Sequence, residues 1–412
     1  MKLKSLTSVE FDNFAQNFPI SNYYQSSSYA LLMGEYGYEF EYIGYLDDDN
    51  NIIAGSLILF KAIKGRIGYG YAPNGFLIDY NDPLLVRNFT DELRNYYSNQ
   101  NIAFIKINPL VITGELDKTN KKFIPKDNTH IKQELINNKY IKLKDNLFFE
   151  SSLPRFEGFV DLEKARFSDY EKNTRNKIRK ALKRGLVFTK AKDKDIDTYT
   201  KLISKDVKVD EFFYKDLFNI FKKNNSIDLF LVKIDFEEYL INSRINYDKE
   251  VERNVRLNEE LVKNPTEQNI SNKMNSDLLV LSYKNDVLAG TKGIKDDKDV
   301  YIAGALVIKN KNMVSIISSW YDRKYAKFDA NYFLHHNIIE YYKNDFNQLS
   351  LNGMTGVFDK SNPYYGLNQF KLGFNPDVYE FIGEFDMIIN LNDYMYLQEN
   401  NILAKEFNKK TS

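Results

Sequence analysis

Lys371 has an unusual setting for a charged group in this 412-residue sequence, because it lies between Phe370 and Leu372. It sits in the stretch NGMTGVFDKSNPYYGLNQFKLGFNPDVYEFIGEFD (352–386). An ammonium so placed can emerge from a packed surface into a cleft. There it would stabilise a developing oxyanion, or hold a substrate carboxylate or phosphate. It can equally be a lysine snorkelling from an edge strand. Glycines at 353, 356, 366, 373 and 383 allow tight turns and close backbone approach around it. The stretch reads as a strand end, a Gly-rich loop, a short segment ending in Phe370-Lys371, and a last strand.

Few other groups can carry covalent chemistry. The absence of cysteine excludes disulfides, thiolate catalysis and Cys-ligated metal, and it suits a reducing compartment. His130, His335 and His336 have no metal-ligand spacing, and the adjacent pair would point to different faces of a helix. No G-x-S-x-G elbow, Walker-type loop or dinucleotide fingerprint occurs. Covalent catalysis therefore lacks a good nucleophile, which would be consistent with direct attack of an amine on an activated ester. The protein would position two substrates and stabilise the oxyanion. No side chain is identified as the base for the amine, so substrate-assisted proton loss or water is expected.

A basic helix is expected in EKNTRNKIRKALKRG (171–185), with Ile178, Leu182 and Val187 marking its buried side and end, and Gly185 its C-cap. Its exposed face carries Arg175, Lys177, Arg179, Lys180, Lys183 and Arg184. That face is either simply solvated or in contact with phosphates of a tRNA backbone or a pyrophosphate-linked substrate. With 57 basic and 57 acidic residues, no global field draws the chain to nucleic acid or anionic lipid. Any such contact must use a local patch.

The elements that would position these groups alternate along the chain. Residues 7–18 form a capped helix, with Thr7 or Ser8 ahead of Glu10. A second helix follows YYQSSS, and residues 41–65 read as two strands across a polar turn. RIGYGYAPNGFLIDYNDP is a strand and turn, residues 83–98 a helix, and NIAFIKINPLV a strand. Residues 111–150 look irregular and charged, with a helix at 131–139. Residues 195–225 look helical, DLFLVKIDF is a strand, and a hairpin turns across Lys309–Asn312. A helix at 329–343 precedes the Lys371 stretch, and DYMYLQENNILAKEF is a last helix. Such alternation argues α/β or α+β.

Between them, residues 236–264 read as a long charged helix, with Ile241, Ile245, Val251, Val255 and Val262 at helical spacing. Pro265 stops it. Ile270, Met274, Leu278 and Leu281 can then form a facing stripe, giving an antiparallel helical hairpin. On propensity alone, LLVLSYKNDVLAGTKG would instead pass for strand-turn-strand. Thirty tyrosines and thirty phenylalanines fit aromatic-rich strands, or less simply a groove for a sugar or peptide. MKLKSLTSVEFDNF has no apolar core of a signal peptide, and no run reaches the ~18 apolar residues that cross a bilayer. No internal repeat or low-complexity linker is visible.

GMTGVF followed by GLNQFKLGFNPDVYEFIGEFD resembles the C-terminal signature of the Fem family of peptidoglycan-bridge aminoacyltransferases. That pattern is a glycine pair, then G-hydrophobic-x-x-F-K, then Tyr/Phe-hydrophobic-Gly-Glu/Asp. Gly353, Gly356, Gly366, Phe370, Lys371, Phe381, Gly383 and Glu384 meet it. Tyr24-Gln25-Ser26 is similar to the family's early glutamine motif. Residues 73–80, PNGFLIDY, are similar to its R-G-P-V-I-D-Y stretch, with Asn74 for Arg and Phe76 for Pro. Asn108-Pro109 stands where many members carry Asp-Pro, so Asn108 cannot act as a base. Some members place an Arg four residues before a Tyr that contacts the acceptor; this chain has Asp210 and Tyr214. Ile317-Ser318-Ser319 replaces a usual Tyr-Ala-Gly.

The resemblance implies an α/β (α+β) fold of two acetyltransferase-like (GNAT-like) subdomains, with mixed sheets, flanking helices and a projecting helical arm. It implies a first subdomain at 1–155, a second at 156–235 plus 298–391, an arm at 236–297 and a C-terminal helix at 392–412. It also decides the ambiguous β-rich stretch in favour of the arm, which members carry here with a proline at its tip. As activity it implies transfer of an amino acid from aminoacyl-tRNA to the stem-peptide amine of a lipid-linked or nucleotide-linked peptidoglycan precursor. The setting would be cytoplasmic, open to peripheral contact with the inner membrane leaflet, with no cofactor beyond aminoacyl-tRNA as co-substrate. On this reading Lys371 is catalytic, and Phe370, Tyr214, Gly353, Gly356, Asn108 and Tyr321 contact substrate. Arg175, Lys177, Arg179, Lys180, Lys183 and Arg184 would contact phosphate or tRNA.

Two alternatives stay open. One is an acyl-CoA-dependent N-acyltransferase, against which no Q/R-x-x-G-x-G/A pyrophosphate loop is seen. The other is a non-catalytic homologue that binds precursor or partner proteins. The departures at Asn108, Asp210 and Ile317 favour it, and Lys371 opposes it.

Overall fold

The computed structural model describes residues 2–20, 22–150, 152–204, 210–296 and 298–407. Among them, the strands in chain order are β1 (Lys2–Ser5), β2 (Glu39–Leu46), β3 (Ile52–Lys64), β4 (Ile67–Ala72), β5 (Ile102–Ile107), β6 (Ile112–Asp117), β7 (Lys122–Pro125) and β8 (Tyr140–Lys142). There follow β9 (Phe156–Asp161), β10 (Leu186–Lys190), β11 (Ile227–Ile234), β12 (Tyr301–Asn310), β13 (Met313–Tyr321), β14 (Gln348–Met354), β15 (Asp377–Phe381) and β16 (Phe385–Ile388). One sheet has the order β1-β2-β3-β4-β5-β16-β8, and the other β10-β11-β12-β13-β14-β9-β15-β6-β7.

The two sheets repeat one scheme. β1 to β4 pair antiparallel in sequence and β5 joins β4 in parallel; β10 to β13 and β14 do the same. A parallel neighbour needs a crossover. Helix Pro83–Tyr97 supplies it in the first sheet and helix Ala330–Tyr342 in the second. In each sheet the next strand, β16 or β9, is antiparallel and comes from elsewhere in the chain. The mixed α/β architecture is the one expected, and its duplication has no counterpart in sequence repeats.

Period-2 patterning explains how the second sheet is covered. Phe230, Val232, Ala305 and Val307 face Ile178, Phe333, Leu334 and Ile338. Their neighbours Leu229, Leu231, Leu306 and Ile308 face Tyr199, Leu217, Phe218 and Phe221 on the opposite side. Helix starts follow local chemistry. Thr7 and Glu10 form the expected capping box, and the Asp82 side chain accepts from Leu85 N ahead of Pro83.

The sheets do not divide at residue 155. Residues 111–150, expected to be irregular, contain β6 and β7, which extend the second sheet by pairing β6 with β15. Conversely β16 leaves the second half and inserts between β5 and β8 of the first sheet. Burial drives the exchange: Phe385 and Met387 fill the first core, and Asp386 meets Lys106 at 2.9 Å with both side chains 3 % exposed. The tail is two short helices, Leu391–Glu399 and Ile402–Phe407, because Asn401 takes a positive φ between them. Residues 408–412 of the expected helix lie outside the described residues.

The β-rich stretch LLVLSYKNDVLAGTKG is helical. Helices Phe236–Lys263 and Glu267–Asp296 form an antiparallel arm on either side of Pro265. Its seam is not the expected one. Ile241, Ile245, Val255, Val262, Ile270, Met274, Leu278 and Leu281 are exposed, and small and polar residues face inward instead. A Cβ on Gly290 would stand 3.0 Å from Leu240, and one on Gly293 only 2.1 Å from Phe236, so glycine sets how closely the helices approach. Farther out, Ser276 Oγ donates to Glu250 Oε1 at 2.6 Å, and Asn254 Nδ2 donates to Ser276 and Asp277. No described helix is long and apolar enough to cross a membrane.

The base of the arm belongs to the body. Tyr239 is 2 % exposed against Phe328, and Lys327 Nζ donates to Asp286 Oδ1 at 2.5 Å. Replacing residues 244–285 with a short Gly-rich turn is therefore expected to leave one cooperative unfolding transition near the parent midpoint. Tyr239→Ala, in contrast, is expected to cost about 3–5 kcal/mol, as loss of a large buried aromatic does. Denaturant melts of both variants check the assignment.

Candidate active site

A cleft of about 430 Å³ opens where the first half of the chain meets the second sheet. Tyr23 and Tyr24 form one wall with Asn74, and Glu157, Ser350 and Asn352 another. The two tyrosine rings stack with centroids 4.1 Å apart. Gln25 holds their loop: its Nε2 donates to Pro73 O at 2.8 Å, and its Oε1 accepts from Leu57 N at 2.8 Å. The early glutamine motif thus positions the aromatic wall.

Lys371 lies on a helix, Tyr365–Leu372, which the sequence shows only as a short segment between a Gly-rich loop and the last strand. It is 8 % exposed and does not emerge into the cleft. Its Nζ donates to Gly353 O at 2.6 Å, next to the lining residue Asn352. Burial pushes its pKa down to about 8, with nearby Glu157 pulling it back up. Glu157, on β9, lines the cleft, and its Oε1 accepts from Ser350 Oγ. Among the described residues its Oε2 has no donor. Burial pushes the Glu157 carboxyl up, while Ser350 and Lys371 hold it down. A buried lysine therefore backs a carboxylate that faces a cavity. Sequence reading missed Glu157, for which the sole signal was a carboxylate at an inward position of an otherwise apolar strand, FEGFV.

The other expected site residues separate. Phe370 packs edge-on to His335, with Tyr332 and Phe374 close by, and so braces Lys371 from behind. Burial pushes His335 down to about 4, so it is neutral, and its Nδ1 donates to Asn331 O at 2.9 Å. Gly353 and Gly356 make room: an added Cβ would stand 2.4 Å from Pro154 or from the Phe156 ring. Tyr214 packs against Tyr199 and Phe213, and Tyr321 ends β13, 39 % exposed; neither lines the cleft. Asp210 caps helix Glu211–Lys223 through Phe212 N.

Asn108 stands at the cleft's margin. Its Oδ1 accepts from Asn74 N at 2.9 Å, and its Nδ2 donates to Asn74 Oδ1 at 3.2 Å. These are two of the positions where the chain departs from the Fem pattern, Arg and Asp there. Both departures meet in one neutral pair, so neither leaves a charge unpaired.

The basic helix, Lys172–Leu182, is partly structural. Arg175 donates to Ser168 O, Arg179 covers Phe167, Arg184 covers Phe328, and Lys177 donates to Tyr332 OH at 3.2 Å. Leu182 is exposed, and Ala181 takes its expected buried place beside Ile178. Lys180 and Lys183 remain exposed in an open groove with Arg179, Lys177 and Asp329. A close packing joins this helix to Lys371: Glu171 N donates to Gly373 O at 3.0 Å, and a Cβ on Gly373 would strike Thr174.

Aminoacyltransferase FemB of Staphylococcus epidermidis ATCC 12228 is 25% identical over 410 residues, covering 96% of each chain. Aminoacyltransferase FemA of Staphylococcus epidermidis RP62A is 23% identical over 408 residues, covering 95% of this chain and 96% of its own. The crystal structure of FemX superposes with a TM-score of 0.74 at 19% identity, over 96% of this chain and 100% of that one, and so shares the fold. The FemAB family matches residues 6–400 as a whole. With two sheets, an arm and a Lys371 helix in that one continuous match, the chain belongs to the FemAB family.

Proposed function

We propose that this chain is an aminoacyltransferase that moves an amino acid from aminoacyl-tRNA to the stem-peptide amine of a peptidoglycan precursor, building the interpeptide bridge. The observation that carries the reading is the cleft-facing Glu157 backed by the buried Lys371. Membership in the FemAB family, with relatives named aminoacyltransferases, supports the reaction class.

The acceptor amine attacks the ester carbonyl carbon, forming the C–N bond. Collapse of the tetrahedral intermediate breaks the C–O bond to the tRNA ribose. Glu157 takes the amine's proton and passes it to the departing ribose oxygen, so charge balances without a cofactor. Lys371 keeps Glu157 ionised and adds positive potential where the oxyanion develops. The stacked Tyr23 and Tyr24 offer an apolar wall to the peptide or sugar. Lys180 and Lys183 supply phosphate contacts for tRNA, which sets the work in the cytoplasm. A lipid-linked precursor would bring the protein to the inner leaflet without a membrane span.

Incubation with labelled aminoacyl-tRNA and a nucleotide- or lipid-linked muropeptide is expected to yield labelled peptide. Tight muropeptide binding with no transfer would leave only a precursor-binding protein. Lys371→Met keeps the apolar stem and is expected to lower turnover by ~100-fold or more, with near-parental folding. The pH profile follows from the shifts. The ammonium is charged below about 8 and lost above it, so activity is expected to fall through about pH 8. On the acid side it is expected to fall below the raised Glu157 value. In Lys371→Met the alkaline limb should vanish. Separately, Lys180→Glu with Lys183→Glu is expected to weaken tRNA binding and to flatten its log–log salt slope by about 1 to 2. An unchanged slope in a salt titration would return that face to plain solvation.

A further inference from the structure

Two side chains with a formal charge stand on the wall of the 430 Å³ cleft, Glu157 and Lys311. The proton transfer uses Glu157 and leaves Lys311 idle. Lys311 lies in the hairpin turn between β12 and β13, exposed at the edge of the cleft. It also borders a neighbouring polar cavity of about 390 Å³, which shares Tyr23 and Asn310 with the cleft. A cation therefore stands on the ridge between two hollows.

The fold itself has no need of a lysine at this point. Its φ is +51°, in the left-handed region that side chains other than asparagine and aspartate rarely adopt. Asparagine, which takes that backbone readily, stands on either side of it, at 310 and 312. Nor does its ammonium hold the structure together. The neighbouring Lys309 Nζ meets Asp228 Oδ2 at 3.1 Å. Lys311 Nζ reaches Phe18 O at 3.5 Å, the outer limit of a hydrogen bond, and has no carboxylate partner among the described residues. Strained backbone that carries a weakly bonded charge beside a cavity is the kind of outlier that function maintains.

Glu157 and Lys311 give the cleft one negative and one positive pole in an otherwise uncharged wall. A ligand with an amine at one end and an oxyanion group at the other is attracted in one direction and repelled in the reverse one. We propose that Lys311 is a specificity residue for the acceptor, binding an oxyanion group, carboxylate or phosphate, of the molecule whose amine reaches Glu157. The inference rests on the reading of this cleft as a transferase site. Both groups occur on the precursor, as carboxylates of the stem peptide and as phosphates of the link to nucleotide or lipid. Lys311 thereby turns the acceptor amine-first toward Glu157 and discriminates against amines that lack such a group.

Equilibrium binding of three ligands to the full chain tests the contact: a UDP-linked muropeptide, the same muropeptide without its nucleotide and phosphates, and that muropeptide with its carboxylates amidated. Lys311→Met is expected to weaken the UDP-linked ligand about tenfold or more, as loss of a charged hydrogen bond does, and Lys311→Arg to retain most of the affinity. Lys311→Asn removes the charge and eases the turn. Weaker binding together with a melt at or above the parental midpoint then excludes misfolding as the cause. A loss that persists without phosphate and disappears on amidation assigns the contact to a carboxylate. A loss confined to the UDP-linked ligand assigns it to phosphate. In transfer assays the acceptor KM is expected to rise by the same factor, with a much smaller change in kcat. Binding indifferent to both Lys311→Met and Lys311→Asn overturns the proposal, as does a parent that binds none of the three ligands. Charge-dependent binding without any transfer supports the contact and overturns only the transfer reaction.

Discussion

The chain crosses between the two sheets four times, and two of the crossings are short, adjacent and beside the cleft. The chain passes from the first sheet to the second at Asn108–Val111, between β5 and β6. It passes back at Ile382–Glu384, between β15 and β16. The crossings run side by side, with Ile382 N donating to Val111 O at 2.9 Å. Gly383 takes φ +84° to make the return turn, which a side chain rarely tolerates. Glu384 then fastens the turn, its Oε1 accepting from Ser152 N at 2.7 Å. Leu110, Ile112 and Phe381 beside these crossings line the cleft, so any loosening of the clamp would change the cleft's width.

Charge is buried at three places, two of them as direct ion pairs. Lys106 and Asp386 pair inside the first sheet, with Tyr394 OH donating to the second carboxylate oxygen at 3.0 Å. Asp228 is held between Lys190 at 2.8 Å and Lys309 at 3.1 Å, with Tyr342 OH donating as well. Each carboxylate has an ammonium within ion-pair distance and a tyrosine hydroxyl donating to it, which offsets the cost of desolvation. Glu157 and Lys371 differ. Lys371 makes its hydrogen bond to a backbone carbonyl, and Glu157 makes its own to a hydroxyl, so neither charge is quenched by direct contact. That is a costly arrangement for stability, and its position on the cleft wall gives the cost a use.

Much of the frame was legible in the sequence because it is local. The capping box at Thr7, the Asp82-Pro83 helix start, the hairpin at Lys309–Asn312 and the proline at the arm's tip depend on residues a few positions apart. The Fem-like signature around Phe370-Lys371 likewise marked the right segment, though not that it is a helix. Its glycines turned out to serve packing, with Gly353 and Gly356 clearing space for Pro154 and Phe156. The arm shows where local pattern stops being enough. Helical spacing identified the first helix, and for the second the family resemblance overrode a strand propensity, but the apolar residues at helical spacing face solvent. Glycine contacts and a Glu250–Ser276 bond decide the seam instead.

By itself, then, the sequence determined many of the helices and strands and the segment that carries Lys371, written in period, caps and motif within a short window, while the two-part α/β plan came from its resemblance to the Fem family. Only the tertiary structure decided which strands change sheets, because β6, β7 and β16 follow burial partners that lie far away in the chain. It alone brought Asn74 to Asn108, turning two separate departures into one neutral pair. It alone set Glu157 in front of Lys371, two residues more than two hundred positions apart whose meeting depends on β9 pairing with β14. A carboxylate's neighbours are fixed by strand order, and strand order is a property of the whole fold.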